Sequence, residues 1–381
     1  MTKADLCVIH LFPYSPVVSG GHSNAIRGFI ACQRASQINA VGIAPKPDTA
    51  GAPPSWEFPF VEVGSLWDLR WATIAARFSI TAVNSLVQFY SVNLRFASLL
   101  ADLRRAGGAY VVNSQGQLEF HGLVHGLKKF AYLNLVNRGP HRAAGLHLLT
   151  ALADRQSRLL LPGYRGARLI QGNLPQLPNP AELGVGSRSD YGIPVDAFLL
   201  VFLGRLDVWV KGLDVLVEAF AHLPSEHFHL VLAGPDWEGG KAKLESLARQ
   251  FRCEQRLHLP GPVYGAKKWA LLRMADAFVS PSRWDAFSVA QAEALALGLP
   301  LVTSNQVRVA AELQEADAAL TVPISAELLG KAIAMLAANP ERRRALGIRA
   351  KAWVEKNLSP ERAGPRFQQF YLAILQNRRS A

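Results

Sequence analysis

Asp285 and Glu293 stand eight positions apart, around a turn that opens an apolar helix. Two carboxylates so spaced suit a ligand with hydroxyls at both ends and an anionic middle. With a helix starting near Phe287, Glu293 lies about 9 Å along the axis at roughly 1.5 Å per residue, approaching the span of a nucleotide-sugar from hexose to ribose. The N–H groups of Phe287, Ser288 and Val289 would then face a diphosphate. Upstream, Arg205 and Lys211 lie in a segment that follows an apolar strand, with Gly204 and Gly212 beside them. Two cations could neutralise a diphosphate, and glycines let backbone approach it closely. Taken alone, such a segment is a loop with solvated charges, and a lone Glu is an ordinary helix-surface residue. The apolar neighbours Val289, Ala290, Ala294, Leu295 and Ala296 argue against a freely solvated Glu293.

The same stretch resembles the Glu-x7-Glu signature of the retaining family 4 glycosyltransferases. Gly204-Arg205-Leu206-Asp207 followed by Lys211-Gly212-Leu213-Asp214 is similar to that family's donor motif. Gly234-Pro235, Gly261-Pro262-Val263 and the run from Ala294 to Pro300 follow in the family's order. The resemblance is dense in the C-terminal half and loose in the N-terminal half. It implies the GT-B fold, two Rossmann-like α/β domains facing each other across a cleft, and transfer of a hexose from a UDP- or GDP-sugar to an acceptor hydroxyl with retention. It implies that Glu293 accepts hydrogen bonds from the ribose, that Arg205, Lys211 and the amides near Phe287 stabilise the leaving diphosphate, and that Val263 lines the donor site. Asp285 departs from the family's usual Glu. It keeps the charge, one methylene shorter, and its alternative role is to cap the following helix.

Gly20 and Gly21 follow the first apolar run, where any tight turn can use glycines; the resemblance makes them a loop near donor phosphates and acceptor. Val111 to Leu118 resembles the segment in which the family places a histidine, or in some subgroups an arginine, just before a glycine. Here Gln115 holds that position. An amide can orient a hexose but cannot act as a general base. Transfer of this type leaves the acceptor proton to the departing diphosphate. The chain contains no Asp-x-Asp, its nearest analogues being Asp236-Trp237-Glu238 and Glu315-Ala316-Asp317. No metal site and no cofactor are expected. His121 and His125 have helical ligand spacing but no third ligand nearby, and read as exposed or satisfied histidines.

At 381 residues with 50% hydrophobic content, the chain can bury two cores. Strands alternating with helices imply parallel sheets covered on both faces. Strands are expected at Leu6 to Phe12, Asn39 to Ala44, Phe60 to Val63, Ala109 to Asn113 and Ala167 to Ile170, with a broken helical region from Leu66 to Arg105. The expected domains are 1–180, which binds acceptor and is completed by a C-terminal helix over 362–381, and 185–360, which binds the nucleotide-sugar. The Pro- and Gly-rich segment from Gly172 to Ser189 reads as the linker.

Cys7, Cys32 and Cys253 are widely spaced and odd in number, which suits buried thiols. No run is long and apolar enough to span a bilayer and no leader pattern opens the chain, so a cytoplasmic protein is expected. The net charge is +12, of which residues 1–184 hold +8 from 17 Lys and Arg against 9 Asp and Glu. Such an excess attracts a phosphorylated or lipid-linked acceptor, or an anionic membrane surface at the inner face. Nucleic acid is not expected, since no recognition motif accompanies the charge. Trp67, Trp71, Phe78, Phe89, Tyr90 and Phe96, interleaved with Arg70, Arg77 and Arg95, read either as core or as a membrane-facing set. Envelope or exopolysaccharide synthesis is the expected setting. The alternatives are a non-catalytic nucleotide-sugar-binding or envelope-assembly protein, or a sugar-nucleotide epimerase on the same fold.

Overall fold

Short apolar runs alternating with helices build two parallel sheets in the computed structural model, which describes residues 6–13, 20–46, 58–66, 69–90, 96–120, 122–178, 184–223 and 227–379. The chain divides into two compact units, one of Met1–Leu174 with Asn357–Ala381 and one of Pro175–Lys356.

The first unit runs β1 (Cys7–Leu11), α1 (Gly21–Ala35), β2 (Asn39–Pro45), β3 (Phe60–Val63), α2 (Trp71–Phe78), β4 (Ser85–Phe89), α3 (Ala97–Arg105), β5 (Ala109–Asn113), α4 (Gly122–Ala131), β6 (Gly145–Leu148), α5 (Ala151–Leu160) and β7 (Ala167–Ile170). The strands pair in the order β3-β2-β1-β4-β5-β6-β7, all parallel. The expected helical region from Leu66 to Arg105 is corrected here: it contains β4, paired with β1 and β5 at the middle of the sheet. All five residues of β4 are buried. A strand covered on both faces shows no alternation, so a short apolar run between two helices reads as more helix.

The second unit runs β8 (Phe198–Leu203), α6 (Leu213–Ala221), β9 (Phe228–Ala233), α7 (Gly240–Gln250), β10 (Leu257–Gly261), α8 (Gly265–Met274), β11 (Ala277–Ser280), α9 (Val289–Ala296), β12 (Leu301–Ser304), α10 (Ala310–Glu315), β13 (Leu320–Val322), α11 (Ala326–Ala338) and α12 (Pro340–Asn357). Its strand order, β10-β9-β8-β11-β12-β13, reverses direction between β8 and β11. Open parallel sheets bind ligands beyond the strand C-termini at such a switch point.

The last helix, α13 (Pro360–Arg379), packs on α1 and β7 of the first unit. A buried polar ring helps fix it there. The His10 ring accepts from Tyr90 at Nδ1 (2.6 Å) and donates from Nε2 to Gln33 Oε1 (2.9 Å). Gln33 donates to the Tyr371 hydroxyl of α13 (2.9 Å), Tyr371 donates to Gln88 Oε1 (2.6 Å), and Gln88 donates back to Tyr90 (3.0 Å). The ring closes only with a neutral His10. Nearby, His147 donates from Nε2 to the Gln171 carbonyl and accepts from Asn113 at Nδ1. Burial lowers these histidines from 6.5 to about 3 for His10 and about 4 for His147. Because the unfolded chain takes up protons first, stability contributed by neutral burial is present above pH 6.5 and is lost as pH falls toward 4. The slope approaches about 1.4 kcal/mol per pH unit for each histidine. Urea unfolding of the first unit should therefore shift to lower denaturant between pH 7 and pH 5, and a midpoint that stays fixed over that window would contradict neutral burial.

The three cysteines are buried and unpaired. Of the aromatic set weighed as a membrane face, Trp71, Phe89, Tyr90 and Phe96 are buried, so these rings are core. Trp67 and Arg95 lie outside the described residues, as does His121, while His125 is exposed on α4.

Candidate nucleotide-sugar site

Backbone-to-backbone packing sets the loops of the second unit. A Cβ at Gly234 would lie 1.7 Å from the Gly204 carbonyl oxygen, and one at Gly240 1.8 Å from that of Leu206. Only glycine permits this approach of the loops that follow β8 and β9, which also pair through a single bridge between Leu206 and Asp236. Arg205 is exposed at this junction, its guanidinium carbon 4.2 Å from the centre of the Trp237 ring. Gly212 takes the left-handed conformation at φ 65°, and its Cβ would meet the Pro281 carbonyl at 2.2 Å. The start of α6 thus fits under the loop that follows β11.

That fit carries Lys211 to Asp285. The ammonium nitrogen lies 2.6 Å from Asp285 Oδ2, and both side chains are largely buried. Two of the residues expected from sequence therefore meet directly across 74 positions of chain. Arg283, which sequence reading passed over, fixes the same loop. It forms two 2.7 Å bonds to Asp214 and one of 2.8 Å to the Trp209 carbonyl, while its backbone N–H donates to Val210.

The helix expected from Phe287 begins instead at Val289 with Ser288 as its N-cap, whose hydroxyl accepts from the Gln291 amide. Phe287 and Ser288 therefore precede the first turn, whose amides are those of Val289, Ala290 and Gln291. Glu293 stands roughly 6 Å along the axis from that start rather than 9 Å. The cap, not Asp285, ends the loop, because a serine hydroxyl at this position competes well for a first-turn amide. Glu293 is 3% exposed and receives a 2.7 Å bond from Lys268 of α8. Burial pushes its carboxyl above the usual range, against the opposing pull of Lys268. Lys268 is a second cation that sequence reading missed: it lies on α8 with no motif to mark it, and only folding brings it to Glu293. Val263 sits half-buried between β10 and α8.

The remaining expected residues belong to the first unit. Gln115 holds a left-handed conformation at φ 44° just after β5, with Nε2 3.4 Å from Asn173 Oδ1. A non-glycine residue in that region is strained and has to be held by its surroundings. Gly20 caps α1 and Gly21 opens it; neither has a positive φ, and the space a Cβ would take is open at both. Nothing in the packing demands glycine there.

Two doubly wound parallel sheets define the class, the GT-B type of α/β protein, and whole-chain likeness to solved structures agrees. A sucrose-phosphate synthase from Thermosynechococcus elongatus matches 98% of this chain and all of its own at TM-score 0.74 and 16% identity. Anabaena Alr3699/HepE, solved in complex with UDP and glucose, matches 97% of this chain and all of its own at TM-score 0.75 and 16% identity. At such identity the likeness establishes fold alone. Residues 187–353, most of the second unit, match the family described as glycosyl transferases group 1. A D-inositol 3-phosphate glycosyltransferase of Xylanimonas cellulosilytica is 36% identical over 131 residues, 34% of this chain and 31% of that relative. The chain thus aligns with about a third of that curated relative's length.

Proposed function

We propose that this protein is a retaining hexosyltransferase that moves a hexose from a UDP- or GDP-sugar to an acceptor hydroxyl, giving an α-linkage. The observation that carries the reading is the Lys211–Asp285 pair at the switch point of the second sheet, with the Lys268–Glu293 pair on the helix that follows. The bond from the anomeric carbon to the diphosphate breaks, the bond to the acceptor oxygen forms, and the acceptor proton passes to the departing diphosphate. Lys211 and Arg205 stabilise the charge that grows on that leaving group. Asp285 holds hexose hydroxyls, Glu293 the ribose, and Gly20, Gly21 and Gln115 of the first unit serve donor and acceptor. Both groups of similar proteins include glycosyl-transferring enzymes by name, which supports the reaction class.

Two cations at one loop make a metal-independent transfer the natural reading. Transfer from UDP-glucose, UDP-galactose or GDP-mannose should survive exhaustive chelation. Turnover lost in EDTA and restored by Mg²⁺ or Mn²⁺ would overturn it.

A second reading concerns the acceptor side. The first unit holds 21 Lys and Arg against 9 Asp and Glu, and the second holds 20 against 20, so the whole net charge of +12 resides in the first. On α4 and the π-helical turn Tyr132–Val136 that continues it, Leu123, Val124, Leu127, Leu135 and Val136 are each at least 59% exposed. Residues 122–142 include Lys128, Lys129, Arg138 and Arg142 and no acidic side chain. An exposed apolar face flanked by cations suits an anionic bilayer. No described helix is long and apolar enough to cross a membrane. The reading is therefore of a cytoplasmic protein held at the inner membrane face, acting on a lipid-linked or growing envelope glycan. Sedimentation with phosphatidylglycerol vesicles should exceed that with phosphatidylcholine vesicles, fall with salt, and drop severalfold in Leu123→Ser/Leu127→Ser. Equal, negligible binding to both would remove it.

A further inference from the structure

Trp209 and Trp237 are 67% and 42% exposed, in the loops that follow β8 and β9. They border a cavity of about 230 Å³ together with Asp207, Asp214, Glu238 and Lys243. Its lining includes none of Lys211, Lys268, Asp285 or Glu293. The rings are held rather than loose. Arg283 lies 3.7 Å from the Trp209 ring centre and is itself bolted to Asp214 by two 2.7 Å bonds, and Arg205 lies 4.2 Å from that of Trp237. Such cation–π contacts fix ring orientation. Glu238 holds a left-handed φ of 50°, followed by Gly239 at 72°, so the turn that carries Trp237 keeps a strained residue beside the cavity. Strain of this kind persists where the surroundings impose it and gathers at ligand sites.

The lining selects a class of ligand. Tryptophan faces are flat and apolar, and match the C–H-rich face of a pyranose ring. Asp207, Asp214 and Glu238 supply acceptors for sugar hydroxyls, and Lys243 a donor. The volume lies below the roughly 300 Å³ at which pockets for drug-sized ligands begin, too small for a whole nucleotide-sugar. We propose that this cavity is a saccharide-binding site that holds one hexopyranose unit of a glycan, bordered by the loop that carries Arg205 and Lys211 but clear of the Lys211–Asp285 and Lys268–Glu293 pairs. The proposal rests on the loop geometry and does not require the reaction assigned above.

The full chain should be tested on an array of immobilised neutral and acidic oligosaccharides, without nucleotide. Wild type should retain hexopyranose-containing glycans; Trp209→Ala should lower that signal at least tenfold, and Trp209→Phe should keep most of it. UDP affinity by calorimetry and the melting temperature should match wild type in both variants. No retention of any glycan by wild type, or equal retention by Trp209→Ala, would overturn the proposal. So would a parallel loss of UDP affinity in Trp209→Ala, which would make the ring part of the nucleotide site. Failure of wild type to bind any nucleoside diphosphate would count against the donor assignment and leave the glycan result standing.

Discussion

Asp285→Asn is expected to lower turnover by about 100-fold or more while changing nucleoside-diphosphate affinity by less than threefold. A hundredfold is about 2.7 kcal/mol of transition-state stabilisation, the size seen when one well-placed polar group at a reacting centre is removed. The carboxylate of Asp285 accepts from Lys211 at 2.6 Å, and the amide keeps an acceptor for that lysine while losing the charge toward sugar hydroxyls. Glu293→Gln should do the reverse, weakening nucleotide binding through the ribose and sparing turnover at saturation. A kcat/KM series alongside calorimetry separates the two. Equal turnover in wild type and Asp285→Asn with the true donor and acceptor would place the reacting centre elsewhere.

The second large effect falls on Lys211→Ala. From sequence, Lys211 and Arg205 look like equivalent diphosphate ligands whose loss should leave the fold alone. The structure separates them. Arg205 is exposed and stacked on Trp237, whereas Lys211 is the partner of a largely buried carboxylate. Removing Lys211 leaves Asp285 uncompensated, and breaking a buried pair in this way costs about 3–5 kcal/mol. Lys211→Ala should therefore unfold at clearly lower urea than wild type, and Arg205→Ala at nearly the same urea. The double variant Lys211→Met/Asp285→Leu should recover much of the lost stability without recovering turnover. A Lys211→Ala protein as stable as wild type would show that the ion pair does not hold the loop.

Much of the scaffold was legible because short strands and capped helices carry local signals. Phe60 to Val63, Ala109 to Asn113 and Ala167 to Ile170 have the bounds their apolar runs suggest. Ser85 to Phe89 was hidden because a strand buried on both faces lacks alternation. The start of α9 was misplaced by two residues because the donor reading looked for amides at Phe287, while Ser288, an ordinary cap, marks the boundary. The carboxylates and cations of the second unit could be found from their types and spacing. Their pairing could not: Lys268 meets Glu293 across 25 positions and Arg283 meets Asp214 across 69, contacts that only the packed loops create. Gly212 looks like a ligand-facing glycine in sequence, but its close approach to the Pro281 carbonyl within the protein already requires glycine.

The central claim is that the second unit binds a nucleoside diphosphate sugar through the loop of Arg205 and Lys211 and the helix of Glu293. Calorimetric titration of UDP and GDP into wild type, Arg205→Ala and Glu293→Gln tests it most directly, since neither substitution removes a partner from the Lys211–Asp285 pair. The account predicts saturable one-to-one binding of at least one nucleotide to wild type, weakened by about 1.5–3 kcal/mol in each variant, or roughly 10- to 150-fold. Unchanged affinity in both variants, or no binding of either nucleotide to the folded wild type, would contradict it.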